Sequence, residues 1–181
     1  DTENSKFVVD IEGESEGGGS IRIVNTYTCS IIPNIINTTA NINFSISSAL
    51  EKDVNINILD LTGKVIKTLV EESYSIGDYS IKVCGTNLEM FKTSYWGDGF
   101  GADNSTEFAR QRTKILAALH AINADIYAIT EIQQGSNALE NLVNGLNALR
   151  GNTDFTYIND KDNVSEYIKS AFIYNKDKVT P

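Results

Sequence analysis

The sequence predicts an α+β chain in which an antiparallel β-sandwich is followed by a layered α/β segment. Three observations carry this. Residues 41–83 alternate apolar and polar side chains with period two. From about residue 80 the pattern changes to strands alternating with helix-like stripes. Asp125-Ile126-Tyr127-Ala128-Ile129-Thr130-Glu131 is a short apolar run that ends abruptly in a carboxylate, with helix-like patterns on both sides.

The chain has 181 residues, 41% of them hydrophobic, enough to bury a core in one domain or two small ones. Its net charge is −9. An acidic chain is a poor non-specific binder of nucleic acid, because phosphate contacts need Lys and Arg. No run reaches the ~18 apolar residues of a membrane helix, so no membrane span is expected. The opening Asp1-Thr2-Glu3-Asn4 is not signal-like; a mature, processed chain and a cytoplasmic one would both begin this way. Two cysteines exclude a disulfide-rich scaffold and a Cys-based zinc site. Cys29 and Cys84 are open to one disulfide or to two buried thiols.

Residues 1–26 are polar, contain Gly17-Gly18-Gly19-Ser20, and read as a flexible or edge segment with one short strand at Phe7-Val8-Val9. Ile42, Phe44 and Ile46 share one face of a strand, and Val54, Ile56 and Ile58 share one face of the next. Gly63 supplies a hairpin turn before a return strand over Val65–Val70. Ser75–Asp78 is a turn and Tyr79–Val83 a strand. Strands at this spacing with polar turns suggest an antiparallel sandwich over residues 27–80.

In the second half, Tyr95–Asp103 is a glycine-rich loop whose carboxylates do not fit calcium-loop spacing, and it reads as a mobile rim. Base stacking by Tyr95 and Trp96 competes there with loop packing. Asn104-Ser105-Thr106-Glu107 is a capping box. The helix behind it puts Phe108, Ile115, Leu116, Leu119 and Ile122 on one stripe, and Arg110 and Lys114 on a solvated outer face. Asn123-Ala124 ends it. Ile126–Thr130 is apolar on both faces, as a covered strand must be. A second helix from Ser136 buries Leu139, Leu142, Val143, Leu146 and Leu149, and Gly151 stops it. Strands at Phe155–Ile158 and Tyr167–Asn175 flank a charged turn at Asn159–Asn163.

Two polar residues end apolar segments: Asn87 and Glu131. An amide oxygen and a carboxylate are hard ligands suited to Mg2+ or Mn2+, and magnesium accepts one or two protein ligands plus water and phosphate. A solvated strand end is the plain alternative for Glu131, and a turn or cap residue for Asn87. His120, the single histidine, falls on the first helix as a surface residue rather than a general base.

Two stretches resemble known families. Ile32-Pro33-Asn34 through Phe44, Asn57–Ile66 and Ser75–Ser80 resemble the carboxy-terminal sorting domain of the bacterial type-nine secretion route and similar Ig-like modules of flagellar hook capping. Lys82–Phe91, Glu107–Leu119, Asn123–Ile132 and Lys169–Val179, in that order, resemble the endonuclease/exonuclease/phosphatase superfamily, specifically its bacterial extracellular nucleases.

These resemblances imply a secreted or cell-surface protein. They imply that residues 81–181 are the first half of a four-layer αββα sandwich. Glu131 would be a catalytic residue and direct metal ligand, and Asn87 would contact the ion or the scissile phosphate. The implied cofactor is Mg2+ (or Mn2+), and the implied substrate is nucleic acid or another phosphodiester. The superfamily completes its site with a His–Asp pair and further Asp and Asn residues, which residues 1–181 do not supply. The expectation is therefore a nuclease or phosphodiesterase fragment, inactive alone. A non-catalytic extracellular structural or adhesion module is the alternative. An incomplete sheet also implies self-association, or a partner chain over its uncovered face.

Overall fold

The computed structural model describes residues 6–11, 28–32, 39–47, 49–59, 65–95, 97–134, 136–158 and 168–181. The Gly17–Ser20 segment, the Gly63 turn, Trp96 and the Asn159–Asn163 turn lie outside the described residues. The fold is α+β. Its described elements run β1 (Lys6–Ile11), β2 (Thr28–Ile32), β3 (Thr39–Ile46), β4 (Lys52–Leu59), β5 (Val65–Tyr74), β6 (Gly77–Phe91), α1 (Ser105–Ile122), β7 (Ile126–Gln133), α2 (Ala138–Arg150), β8 (Phe155–Ile158) and β9 (Ile168–Asn175). The chain divides into two compact units, the first of Asp1–Asn34, Asn41–Ile81 and Lys178–Pro181, the second of Ile35–Ala40 and Lys82–Asp177.

In the first unit β1, β4 and β5 form an antiparallel sheet. Strand β2 pairs antiparallel with β3, which neighbours β6. The period-two alternation does what it predicts: Ile42, Phe44 and Ile46 are buried on β3, as are Val54 and Ile56 on β4. Phe44 meets Tyr74 of β5 edge-on at 5.1 Å and stacks on Tyr79 of β6 at 5.2 Å. Offset and T-shaped ring pairs of this kind add about 0.5–1.5 kcal/mol beyond their area. The chain's last residues return here: Val179 is buried, and the Glu71 N–H donates to the Thr180 carbonyl at 2.9 Å.

The second unit has strand order β6-β7-β9-β8, with β7 parallel to β6 and antiparallel to β9. Parallel strands need a crossover, and α1 supplies it. Cys84, Tyr127, Ile129, Ala171 and Ile173 join Leu116, Leu119, Leu142 and Leu146 of the helices in one core. Gly145 lets the helices meet closely: a Cβ there would lie 2.5 Å from Arg112 Nη2 and 2.6 Å from Leu116 Cδ1, and those side-chain ends would have to shift. Cys84 is a free, buried thiol, and burial pushes its pKa up, with Lys82 opposing.

Two local expectations change. Leu149 is 51% exposed, because the buried stripe of α2 closes on Leu146 and the last turn faces outward. The capping box is shifted: Asn104 Oδ1 accepts from the Glu107 N–H at 3.0 Å, but Glu107 Oε2 accepts from the Asp103 N–H rather than from Asn104. The cap thereby reaches into the preceding loop. At the other end of α1, Asn123 adopts the left-handed conformation and its N–H returns to the Leu119 carbonyl.

Tyr127 locks α1 to β7. Its buried hydroxyl donates to the Leu119 carbonyl at 2.6 Å and accepts from the Ala124 N–H at 3.0 Å. Tyr127→Phe strands the buried Ala124 N–H and takes one of two donors from the Leu119 carbonyl, which keeps the Asn123 N–H, and a buried unsatisfied group costs about 1–3 kcal/mol. The expected loss is about 2 kcal/mol, seen as a lower urea midpoint at unchanged slope. A midpoint equal to the parent protein's would refute the assigned role.

Candidate functional site

The site lies where the paired ends of β6 and β7 stop running in register. Asn87 pairs with Thr130, and the next pair is Phe91 with Ile132. Three residues of β6 thus oppose one of β7. On the other flank, Ile129 pairs with Ala171 and then Ile132 with Lys169, so Thr130 and Glu131 oppose Ser170 alone. This is a β-bulge, which re-aims a side chain and ends pairing. Glu131 sits in it with φ 57°, and Glu89 and Met90 opposite have φ 51° and 60°. All three are non-glycine residues in the left-handed region, each at a conformational cost on the order of 1–3 kcal/mol.

The structure brings the two sequence-predicted ligands together. Asn87 Nδ2 donates to Glu131 Oε1 at 2.7 Å. Asn87 Oδ1 accepts from the Glu89 N–H at 2.7 Å, which fixes which end of the amide faces Glu131. The turn is braced from α1, where Gln111 Nε2 donates to the Glu89 carbonyl at 3.0 Å. It is braced from the loop by Gly101, whose place at φ 67° leaves no room for a side chain: a Cβ would lie 2.2 Å from the Met90 carbonyl oxygen.

These atoms set what the site can hold. Among the described residues, no three His, Cys, Asp or Glu side chains gather around a metal position. A closed protein cage is therefore not the fit. A hard divalent ion that keeps most of its water and takes one carboxylate does fit Glu131. Asn87 presents its N–H face to that carboxylate, so in this arrangement it orients Glu131 rather than offering its oxygen beside it.

Beyond Asn87 and Glu131, the loop expected to be a mobile rim is built on a buried cation. Lys92 is 1% exposed, and its ammonium donates to Asp98 Oδ1 at 2.7 Å and lies 3.4 Å from Asp103 Oδ1. Asp103 also accepts from the Gly97 and Gly99 N–H groups, at 3.1 and 3.0 Å. Gln133, two residues past Glu131, is nearly buried, and its Oε1 accepts from the Thr93 and Ser94 N–H groups at 2.7 and 3.1 Å. The loop and the bulge are thus tied to each other. Tyr95 and Phe100 remain exposed on it, at 46% and 67%.

Of the other residues singled out in the sequence, His120 lies exposed on α1, as do Arg110 and Lys114. Lys92, Gln111 and Gln133 carry no sequence motif. The one available signal was arithmetic: Asp98 lies in a glycine-rich loop, and Lys92 is the cation closest to it in sequence. No family model, curated protein or solved structure shows significant similarity to this chain.

The ion pair gives a pH dependence. The Lys92 hydrogen bond, followed by that of the Phe100 N–H, holds the Asp98 carboxyl below its ordinary value. A depressed carboxyl stabilises the folded loop above the unfolded value of about 4, and that contribution fades as pH falls through the lower folded value. The Phe100 amide resonance should titrate with a midpoint below about 4. Lys92→Met should move that midpoint upward, and an unmoved midpoint would show that Lys92 is not the cause.

Proposed function

We propose that the second unit carries the metal-binding half of a phosphodiesterase site, that of a secreted nuclease. One observation carries the reading: a bulge at the ends of two parallel strands aims Glu131 at Asn87, with a 2.7 Å bond between them. Open α/β sheets place ligands at the carboxyl ends of their strands, and both residues lie there. The order of the four family-like stretches adds to it. In this reading residues 82–177 form the first half of an αββα sandwich, and the antiparallel first unit is an Ig-like β-sandwich that accompanies it.

When bound, Mg2+ or Mn2+ would polarise the phosphoryl oxygen and stabilise charge developing on it. The chain's own residues have narrower tasks. Glu131 supplies the anionic oxygen. Asn87 holds that carboxylate in one orientation and keeps its own carbonyl on the Glu89 N–H. Gln133 fixes the strand immediately beyond. A base to take the proton of an attacking water is the missing function: His120 faces outward from α1, and no His–Asp pair stands beside Glu131 among the described residues. Residues 1–181 are therefore expected to bind the ion without appreciable turnover.

Calorimetric titration with Mn2+ should show one weak site that EDTA reverses. Glu131→Gln should abolish it, and Asn87→Ala should weaken it by about tenfold, the scale on which ligand-orienting partners act. Mn2+ binding that survives Glu131→Gln would sink the reading. So would Mg2+-dependent cleavage of DNA by residues 1–181 sink the expectation of inactivity.

The same reading includes a partner. Ala171 and Ile173 point into the helix-covered core, so Phe172 and Tyr174 point to the opposite face of β9, where both are half-buried. A second copy covering that face is proposed, while no described helix is long and apolar enough to cross a membrane. Sedimentation velocity should show a concentration-dependent dimer that Phe172→Glu dissociates. A monomer at all concentrations would refute it.

A further inference from the structure

The flank of α1 bears two cations with no assigned use. Arg110 and Lys114 are exposed and one helical turn apart. Among the described residues, no ion pair joins Arg110 or Lys114 to a carboxylate.

Both line a depression that leads away from the candidate site. A groove of about 300 Å3 begins at Asn87, passes Gln111 and reaches Lys114, with Ile115, Ala118 and Ile122 as its apolar wall. A second groove, of about 460 Å3, continues from Lys114 to Arg110 and ends at Gly101 and Ala102 of the loop. Gln111, Lys114 and Glu89 border both, so the two form one trough along the helix. Single small-ligand pockets span about 300–1,000 Å3, and this trough is extended rather than enclosed.

We propose that the trough is a subsite for a single nucleic-acid strand. It deepens, and rests on, the phosphodiesterase reading: the substrate is a polymer, not a mononucleotide. A strand whose reacting phosphate lies at Asn87 and Glu131 extends along α1. Lys114 and Arg110 take its neighbouring phosphates, and the apolar wall takes the flat face of a base or sugar. Glu89 and Glu107 also border the trough and oppose the phosphates. Glu107 is partly withdrawn, because its carboxylate accepts from the Asp103 N–H. Binding is therefore modest and salt-sensitive.

The test uses the full chain in EDTA, with fluorescent octathymidylate and dithymidylate as probes. Octathymidylate should bind at least about tenfold more tightly than dithymidylate. Arg110→Gln with Lys114→Gln should weaken octathymidylate about tenfold. It should also lower the log–log salt slope by about 1.4, at ~0.7 per single-strand phosphate, and leave dithymidylate unchanged. Glu89→Gln should tighten octathymidylate. These side chains are exposed, so an unchanged thermal unfolding curve confirms that the variants fold. Absence of octathymidylate binding, no dependence on length, or a salt slope unmoved by the double substitution overturns the proposal. Because the chelator removes metal, loss of Mn2+ binding with strand binding retained defeats the metal reading alone, and the converse outcome defeats this one alone.

Discussion

Everything at the candidate site depends on strand β7 and the single place where its register breaks. Up to Ile129 the strand is held on both sides, by β6 and by β9, with Ile126, Tyr127 and Ile129 buried and Ala128 half-buried. A strand so constrained cannot slip without turning its apolar set toward water. The bulge at Thr130–Glu131 is therefore not slack in the sheet. It lets one carboxylate leave the pleat while Ile132 and Gln133 return to buried positions immediately after. The left-handed backbone of Glu131 is what that excursion requires, and Glu89 and Met90 make the matching excursion on β6.

The second constraint is electrostatic. A lysine ammonium withdrawn from water is tolerable only if it is paired and hydrogen-bonded. Lys92 meets that condition with two carboxylates, and those carboxylates gather the N–H groups of Gly97, Gly99 and Phe100 around themselves. Removing either carboxylate would leave the buried ammonium leaning on the other, and breaking a buried pair is more damaging than never having had it. The loop is thus shaped from its inside, while Tyr95 and Phe100 stay on its surface.

Much of the fold was legible because burial is periodic. Ile42, Phe44, Ile46, Val54 and Ile56 could be assigned to the interior from alternation alone, and Leu116, Leu119, Leu139, Leu142 and Leu146 from helical spacing. The Asn104 cap and the Gly151 stop were legible because their chemistry is local. Leu149 misled because the apolar stripe continues past the end of the surface it packs on. The site was legible only in part. Asn87 and Glu131 stood out as polar ends of apolar runs, but sequence carries no mark of the bulge that turns one toward the other. Lys92, Gln111 and Gln133 are ordinary polar residues until the chain folds. Their partners lie in loops and strand ends up to 40 residues away, and no short pattern encodes a pairing of that kind.

The distribution of backbone strain bears on what kind of protein this is. Among the described residues, four non-glycine positions have positive φ. One, Asn123, is an ordinary helix cap. The other three are Glu89, Met90 and Glu131, and all flank the Asn87–Glu131 bond. The first unit, where a spacer or adhesion module would place its mechanical demands, has no such residue among those described. Strain of this size persists only where surrounding structure over-determines it, as Gln111, Gly101 and Gln133 do here. A purely structural sheet edge would gain nothing from it, since a regular ladder or a glycine would satisfy the same hydrogen bonds more cheaply. Three strained residues and their braces all adjoin one carboxylate and its amide partner. That favours descent from a ligand-binding site over a structural edge, even where the proton-transfer groups are not at hand.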